Sequence, residues 1–382
     1  MSTDVAIVGV GLHPFGRFPG VPALDMAAQA VRAALADADM AWPEVQVAFG
    51  GSYDVDNPDA VVSQLGLTGI PFTDVYNGCA TAASALDMAA NMIRLGAHDV
   101  ALALGVDKHE RGAFSADPLE YGCPSWYGAV GHFITTKFFG MKINRYMYDH
   151  GISVETLARV AAKNYRNGAL NPNAFRRKPL SVEEILASPM LNYPLTQYMF
   201  CSPDEGAAAV LLCRAELSSK YTANPIYLRA SAVRTRRLGA FEVHSPWLPL
   251  ESADGPTVHA SRAAYEMAGI GPTDVDVAQL QDTDAGAEVI HMAENGLCAD
   301  GEQEALVAAG ATEIGGRLPI NTDGGLLANG EPIGASGLRQ VHELVHQLRG
   351  TAGERQVPGT PQVGYAQLYG APGTAGVSIV ST

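Results

Sequence analysis

The segment Val75-Tyr76-Asn77-Gly78-Cys79-Ala80-Thr81-Ala82-Ala83-Ser84-Ala85-Leu86 constrains this chain more than any other stretch. Residues 72–75 read as a short strand that stops at Asn77-Gly78. A helix over 79–95 follows, with Gly96 as its cap. Alanines at 80, 82, 83, 85, 89 and 90 keep this helix small on several faces, so neighbours pack against it closely. The turn therefore presents the Cys79 thiol at a strand-to-helix junction. Free N–H groups and the positive end of the helix dipole favour thiolate there, and a thiolate can take an acyl group from a thioester. The alternative is an inert buried cysteine.

The rest of the chain alternates strand and helix signals. Residues 5–10 predict a strand, 24–36 an amphipathic helix, 45–49 a buried strand and 99–105 another. Residues 118–203 break the rhythm, being rich in aromatics, Asn and Pro, and read as an excursion carrying substrate-facing loops, with a helix over 154–165. Residues 205–213 predict a strand buried on both faces. A second half starts near Asn224-Pro225, with strands at 226–233, 275–281 and 376–380 and helices at 258–268 and 335–349. The helices 79–95 and 335–349 occupy equivalent places, which suggests an internal duplication. The expected organisation is an N-terminal half over 1–223, with a loop region at about 114–203, and a C-terminal half over 224–382.

Composition narrows the function. The chain has 382 residues, 47% apolar, and contains no apolar run of the ~18 residues a membrane span needs. Met1-Ser2-Thr3-Asp4 has no basic leader, so no signal peptide is expected. Five scattered cysteines, none in a C-x-x-C pair, argue against a zinc site or disulfide framework and for a reducing cytoplasm. With 25 Lys and Arg against 40 Asp and Glu, the net charge of −15 argues against a nucleic-acid or anionic-membrane surface. Gly9-Val10-Gly11 lacks the third glycine and the downstream acid of a dinucleotide site.

In order and spacing, several motifs resemble the thiolase superfamily, in particular the sterol-carrier-protein-x-type thiolases. They are residues 4–11, Asn77-Gly78-Cys79-Ala80-Thr81, residues 201–209 (Cys201-Ser202-Pro203-Asp204-Glu205 onward), Asn321-Thr322-Asp323-Gly324-Gly325, Gly330-Glu331-Pro332-Ile333-Gly334-Ala335-Ser336-Gly337 and Tyr369-Gly370. The resemblance implies an α/β thiolase fold: five αβαβα layers, two pseudo-symmetric halves, an inserted loop region, and the two equivalent helices in the middle. It also implies a homodimer, and coenzyme A as part of the substrate with no tightly bound cofactor or metal.

The catalytic positions depart from the family. Where sterol-carrier-type enzymes carry His-Asp-Cys-Phe, this chain has Gln281-Asp282-Thr283-Asp284. Gln281 can hold a water or donate to an oxyanion but cannot shuttle protons at neutral pH. The family's Gly-His-Pro is Gly330-Glu331-Pro332, and Tyr369 falls on a further histidine. Glu331 would oppose a thiolate by charge or, if desolvated, act as a base. It could instead simply complement the dipole of the following helix.

A nucleophile without its histidines suits retro-aldol cleavage, which needs a base for the β-hydroxyl and an oxyanion hole for the enolate. Tyr369, assisted by Glu331 or Asp284, is the expected base. Backbone N–H groups at Gly324, Gly325 or Gly370 are the expected hole, and His132 is a loop histidine within reach of the pocket. These departures resemble thiolase-like aldolases that remove steroid side chains with a small zinc-ribbon and OB-fold acyl-CoA-binding partner. The leading expectation is cleavage of a bulky β-hydroxyacyl-CoA. The alternatives are a retro-Claisen acyltransferase using Cys79 and a non-catalytic acyl-CoA- or lipid-binding subunit.

Overall fold

The structure is a computed structural model that describes residues 4–240, 253–371 and 373–382; residues 1–3, on which part of the leader reading rests, lie outside them. The first half runs β1 (Val5–Gly16), α1 (Ala23–Asp37), β2 (Val47–Gly51), α2 (Val62–Leu65), β3 (Phe72–Asp74), α3 (Thr81–Arg94) and β4 (Val100–Lys108). An excursion follows: α4 (Trp126–Ala129), α5 (Thr135–His150), α6 (Val154–Ala169), α7 (Val182–Leu186) and a hairpin of β5 (Met190–Asn192) with β6 (Leu195–Thr196). Strand β7 (Glu205–Arg214) returns to the sheet. The chain then continues through β8 (Ile226–Thr235), α8 (Pro256–Ala268), β9 (Val277–Leu280), α9 (Ala285–Glu294), α10 (Gln303–Ala308), α11 (Gly325–Asn329), α12 (Ser336–Leu348), β10 (Val363–Gly370) and β11 (Thr374–Ser381).

Nine strands hydrogen-bond in the order β3-β2-β4-β7-β1-β8-β11-β10-β9. The two ends follow one plan. The first strand of each, β1 or β8, lies antiparallel beside its last, β7 or β11. Next come β4 and β10, then β2 and β9, which pair parallel with them. The ends join where Val5–Ile7 of β1 meet Ile226–Leu228 of β8. Helices α3 and α12 touch each other and both pack on strands from either end, while α1 covers β1, β7 and β4, and α8 covers β8 and β11. The order is helix, one end of the sheet, paired helices, the other end of the sheet, helix, as the duplication argument anticipates.

Small residues make this stacking possible. A Cβ on Gly337 of α12 would lie 3.0 Å from the Ala82 methyl of α3 and 2.0 Å from Leu368 of β10. Because α12 is buried nearly all round, its polar side chains need partners inside the protein: Arg339 pairs with Asp323, and Glu343 with Arg355 at 3.0 Å. A Cβ on Gly9 or Gly11 would strike the Ala34 or Ala30 carbonyl of α1 at 2.3 or 2.1 Å. These two glycines therefore serve helix-on-strand contact.

Two elements differ from expectation. Strand β1 continues past residue 10 to Gly16, because His13 and Gly16 still pair with Ala207 and Glu205 of β7. Helix α3 starts at Thr81, two residues after Cys79. The Thr81 hydroxyl donates to the Gly78 carbonyl at 2.6 Å and accepts the Asn77 N–H at 2.9 Å, which holds residues 77–80 as a turn ahead of the helix.

Candidate active site

Four loops converge at the junction of the two ends of the sheet. They are the Cys79 turn before α3, Gln281 just past β9, the Gly330-Glu331-Pro332 loop before α12, and Gly370 at the end of β10. Their approach is tight enough to dictate glycine. A Cβ on Gly370 would sit 2.3 Å from the Asn77 carbonyl and 2.6 Å from the Ala80 nitrogen. Gly330 has φ +88°, and a Cβ there would overlap the buried Asp204 carboxyl at 2.0 Å.

Glu331 is at the centre. Its side chain is fully buried and its main-chain N–H donates to the Ser202 carbonyl at 2.9 Å. Its Oε1 accepts from Gln281 Nε2 at 3.1 Å and its Oε2 accepts the Cys201 thiol at 3.2 Å, with the Cys79 thiol beside it. Burial pushes the Glu331 carboxyl above its ordinary range, while these three neighbours pull it back. Both thiols are pushed well up, first by burial and then by the Glu331 charge. The dipole of α3 is expected to favour a Cys79 thiolate; desolvation and the carboxylate push the thiol the other way. Gln281 is locked at both ends of its amide, since Oε1 accepts the Tyr369 main-chain N–H while Nε2 donates to Glu331, and its main-chain N–H donates to Gln367 Oε1 at 3.2 Å.

Cys79 opens on a narrow cleft of about 70 Å³ lined largely by Tyr53, Tyr76, Phe114, Tyr121, Phe133 and Ile333. Neither Tyr369 nor the fully buried Glu331 is among its lining residues, which include Cys79 and Ile333 on either side of Glu331's place. Adjacent side chains on a strand point to opposite faces, and with Gly370 facing the Cys79 turn, the Tyr369 ring packs with Phe139, His291 and Lys142, whose Nζ lies 5.1 Å from the ring centroid. Asp284 caps α9 through the Ala287 N–H at 3.0 Å, and burial raises its carboxyl to about 7.

Gly324 and Gly325 are further off. Their N–H groups donate to the Asn321 carbonyl and Asp323 Oδ1, so they do not offer a hole to substrate. Asp282 holds this loop by accepting the Leu326 and Leu327 N–H groups at 2.6 and 3.2 Å. The His132 ring packs on Tyr127, and its neighbour Phe133 lines the cleft in its place. The structure thus gathers Cys79, Glu331, Gln281 and Gly370, and places the Tyr369 side chain, Asp284, Gly324, Gly325 and His132 apart from them. Sequence reasoning treated Cys201 as packing and did not single out His109, whose Nε2 accepts the Ile333 N–H beside the Glu331 loop at 3.0 Å. No spacing signal marks either residue.

Known proteins carry the same arrangement of halves. Residues 5–183 match the family described as Thiolase, N-terminal domain, and residues 251–382 match Thiolase C-terminal domain-like. Sterol carrier protein 2 of Oryctolagus cuniculus is 35% identical over 93% of this chain and 68% of its own length. The acetyl-CoA acetyltransferase of Methanothermobacter thermautotrophicus is 32% identical over 99% of both chains. Benzoylsuccinyl-CoA thiolase subunit BbsB of Thauera aromatica is 30% identical over 97% of this chain and 95% of its own. Among solved structures, the Ltp2–ChsH2(DUF35) aldolase is similar with a TM-score of 0.87 at 25% identity, covering 99% of this chain and 98% of that one. Among the described residues, no helix is long and apolar enough to cross a membrane. Both halves match in chain order, and relatives of full length share about a third of its residues: this chain is a member of the thiolase family, a thiolase-like enzyme of the kind that acts on acyl-CoA thioesters.

Proposed function

We propose that this enzyme cleaves a β-hydroxyacyl-CoA by a retro-aldol reaction, with Glu331 as the base. The observation that carries the reading is the carboxylate standing against Cys79 where the sterol-carrier-type enzymes have a histidine. A carboxylate there disfavours the thiolate that a Claisen enzyme needs. A desolvated carboxylate with a raised proton affinity is well matched to a hydroxyl. Glu331 takes the β-hydroxyl proton, the oxygen's electron pair forms the carbonyl, the Cα–Cβ bond breaks, and its pair moves onto the thioester as an enolate. The proton held on Glu331 then returns to Cα, leaving an aldehyde or ketone and a shortened acyl-CoA. In this reading the main-chain donors of the Cys79 and Gly370 turns serve the developing oxyanion.

The aromatic lining of the cleft supports a bulky, ring-containing acyl group, steroid side chains included. The likeness to the Ltp2–ChsH2(DUF35) aldolase over 99% of the chain supports a small DUF35-type partner that delivers the acyl-CoA. We place the assembly in the cytoplasm, in keeping with its free cysteines, and its core as a homodimer that covers the open edge strand β3.

A second reading, retro-Claisen transfer through Cys79, is favoured by the thiol lining the cleft at the head of α3. The two separate on incubation with β-hydroxy- and β-ketoacyl-CoAs. The aldolase releases a carbonyl product without added CoA. The acyltransferase consumes CoA and leaves an acyl group on Cys79, detectable by mass spectrometry; that result would overturn the retro-aldol reading.

A further inference from the structure

The loop that carries Glu331 is held by the opposite end of the sheet. Two and three residues past Glu331, Ile333 and Gly334 donate their main-chain N–H groups to His109 Nε2 at 3.0 Å and to Asp107 Oδ2 at 2.5 Å. Both acceptors belong to the end of β4. Asp107 is fully buried, and its other oxygen accepts the Tyr53 and Asp54 N–H groups at 2.7 and 2.9 Å and the Ser52 hydroxyl at 2.5 Å. The His109 Nδ1 side faces Asp54 Oδ2 in direct contact. A proton on Nδ1, donated to that carboxylate, leaves a lone pair on Nε2, which is the form the Ile333 N–H requires. Arg17 ties the other side of the loop by donating to the carbonyls of His109 and Pro203, and Pro203 bridges to Glu331. Asp54, Asp107 and His109 lie close enough to share a cation. The Asp107 oxygens and both imidazole nitrogens are, however, already engaged by protein groups.

We propose that His109 is a positioning residue for Glu331, and that its neutral, Asp54-held imidazole keeps the 331–334 loop in its working place. This rests on Glu331 being the base. Asp54 and Asp107 face the ring, with Asp107 Oδ2 3.5 Å from Nε2, and Arg17 donates to the His109 carbonyl. Phe114 and Tyr53, both on the cleft wall, pack on the ring at 5.0 and 5.8 Å, so a shift of the imidazole also reaches the substrate channel.

The test compares wild type with His109→Phe, which keeps a flat ring and removes the acceptor, and His109→Gln, whose amide oxygen can accept in its place. The primary readout is hydrogen exchange of the Ile333 amide at one fixed pH. Exchange should quicken by about tenfold or more in His109→Phe and stay near wild type in His109→Gln. Turnover in His109→Phe should fall ~10- to ~100-fold with KM within about threefold, and His109→Gln should restore it. An Ile333 amide that stays protected in folded His109→Phe overturns the brace. Lost protection with unchanged turnover overturns the positioning role. Should His109→Phe not fold, His109→Leu, which also removes the acceptor, is read by the same two criteria. If wild type releases no carbonyl product, the retro-aldol reading fails while Ile333 exchange still decides the brace.

Discussion

Glu331→Gln separates the two chemistries this site could perform, because it moves two measurable quantities in opposite directions. The substitution is isosteric. Its amide oxygen keeps the Gln281 N–H that Oε1 now accepts at 3.1 Å, and its NH₂ replaces the oxygen that accepts the Cys201 thiol at 3.2 Å. Sulfur is a weak acceptor, so about one hydrogen bond is lost, worth ~1 kcal/mol, while a buried charge is removed. Fold stability should therefore change by no more than about that amount. Catalysis should change far more. Loss of a general base costs ~10²–10⁴-fold, or about 2.7–5.4 kcal/mol of barrier at 1.36 kcal/mol per decade. The Cys79 thiol, held up by burial and then by the Glu331 charge, should become more acidic, and alkylation by iodoacetamide should quicken. One assay follows carbonyl release from a β-hydroxyacyl-CoA and the other follows carbamidomethyl-Cys79 by mass spectrometry. The acid limb of the wild-type rate, which reports a Glu331 carboxyl raised above 4.5, should vanish in the variant, since only the deprotonated form is a base. Cleavage at wild-type speed, or slower alkylation, refutes the assignment.

Cys79→Ala should keep carbonyl release within about tenfold of wild type; a ~10⁴-fold loss with acyl-CoA binding intact would return the site to covalent catalysis. Tyr369→Phe should lose less than about tenfold in rate, because the ring packs with Phe139, Lys142 and His291 and the link to Gln281 is main-chain. A ~10²–10⁴-fold loss in steady-state kinetics would move the base to the phenol. Gly370→Ala should cost ~1–3 kcal/mol in denaturant unfolding and disable cleavage, since its Cβ would sit 2.3 Å from the Asn77 carbonyl in the Cys79 turn. Asp284 has a folded value of about 7 against 3.8 unfolded, so its contribution is present at low pH and is lost as pH rises through that window. The slope is up to about 1.4 kcal/mol per pH unit; Asp284→Asn, which can still cap α9, should lack that part of the pH dependence in urea titrations.

The layered fold was legible because it is written in repeats. Two strand–helix–strand runs, each with a small-residue or closely flanked central helix, leave little choice but to stack α3 against α12. The Gly9-x-Gly11 pair was legible only as a negative: it lacks a nucleotide fingerprint, but only the structure shows the Ala30 and Ala34 carbonyls that demand glycine. In the site, motif order located the Cys79 turn and the Glu331 loop because each is fixed by local backbone chemistry, a strand stop before a helix or a glycine at positive φ. What motif order cannot supply is the face on which a strand residue lies. Tyr369 and Gly370 are adjacent, and one residue of register decides which of them meets Cys79. Contacts between elements far apart in sequence were likewise out of reach. Cys201 meets Glu331 across 130 residues and His109 meets Ile333 across 224, and neither pair leaves a spacing pattern. The residues invisible in the sequence are thus those that cross between the two ends of the sheet. Glu331 is set by that crossing, since its loop hangs between the His109–Asp107 brace on one side and Gln281 on the other, and its reactivity belongs to the junction rather than to either half.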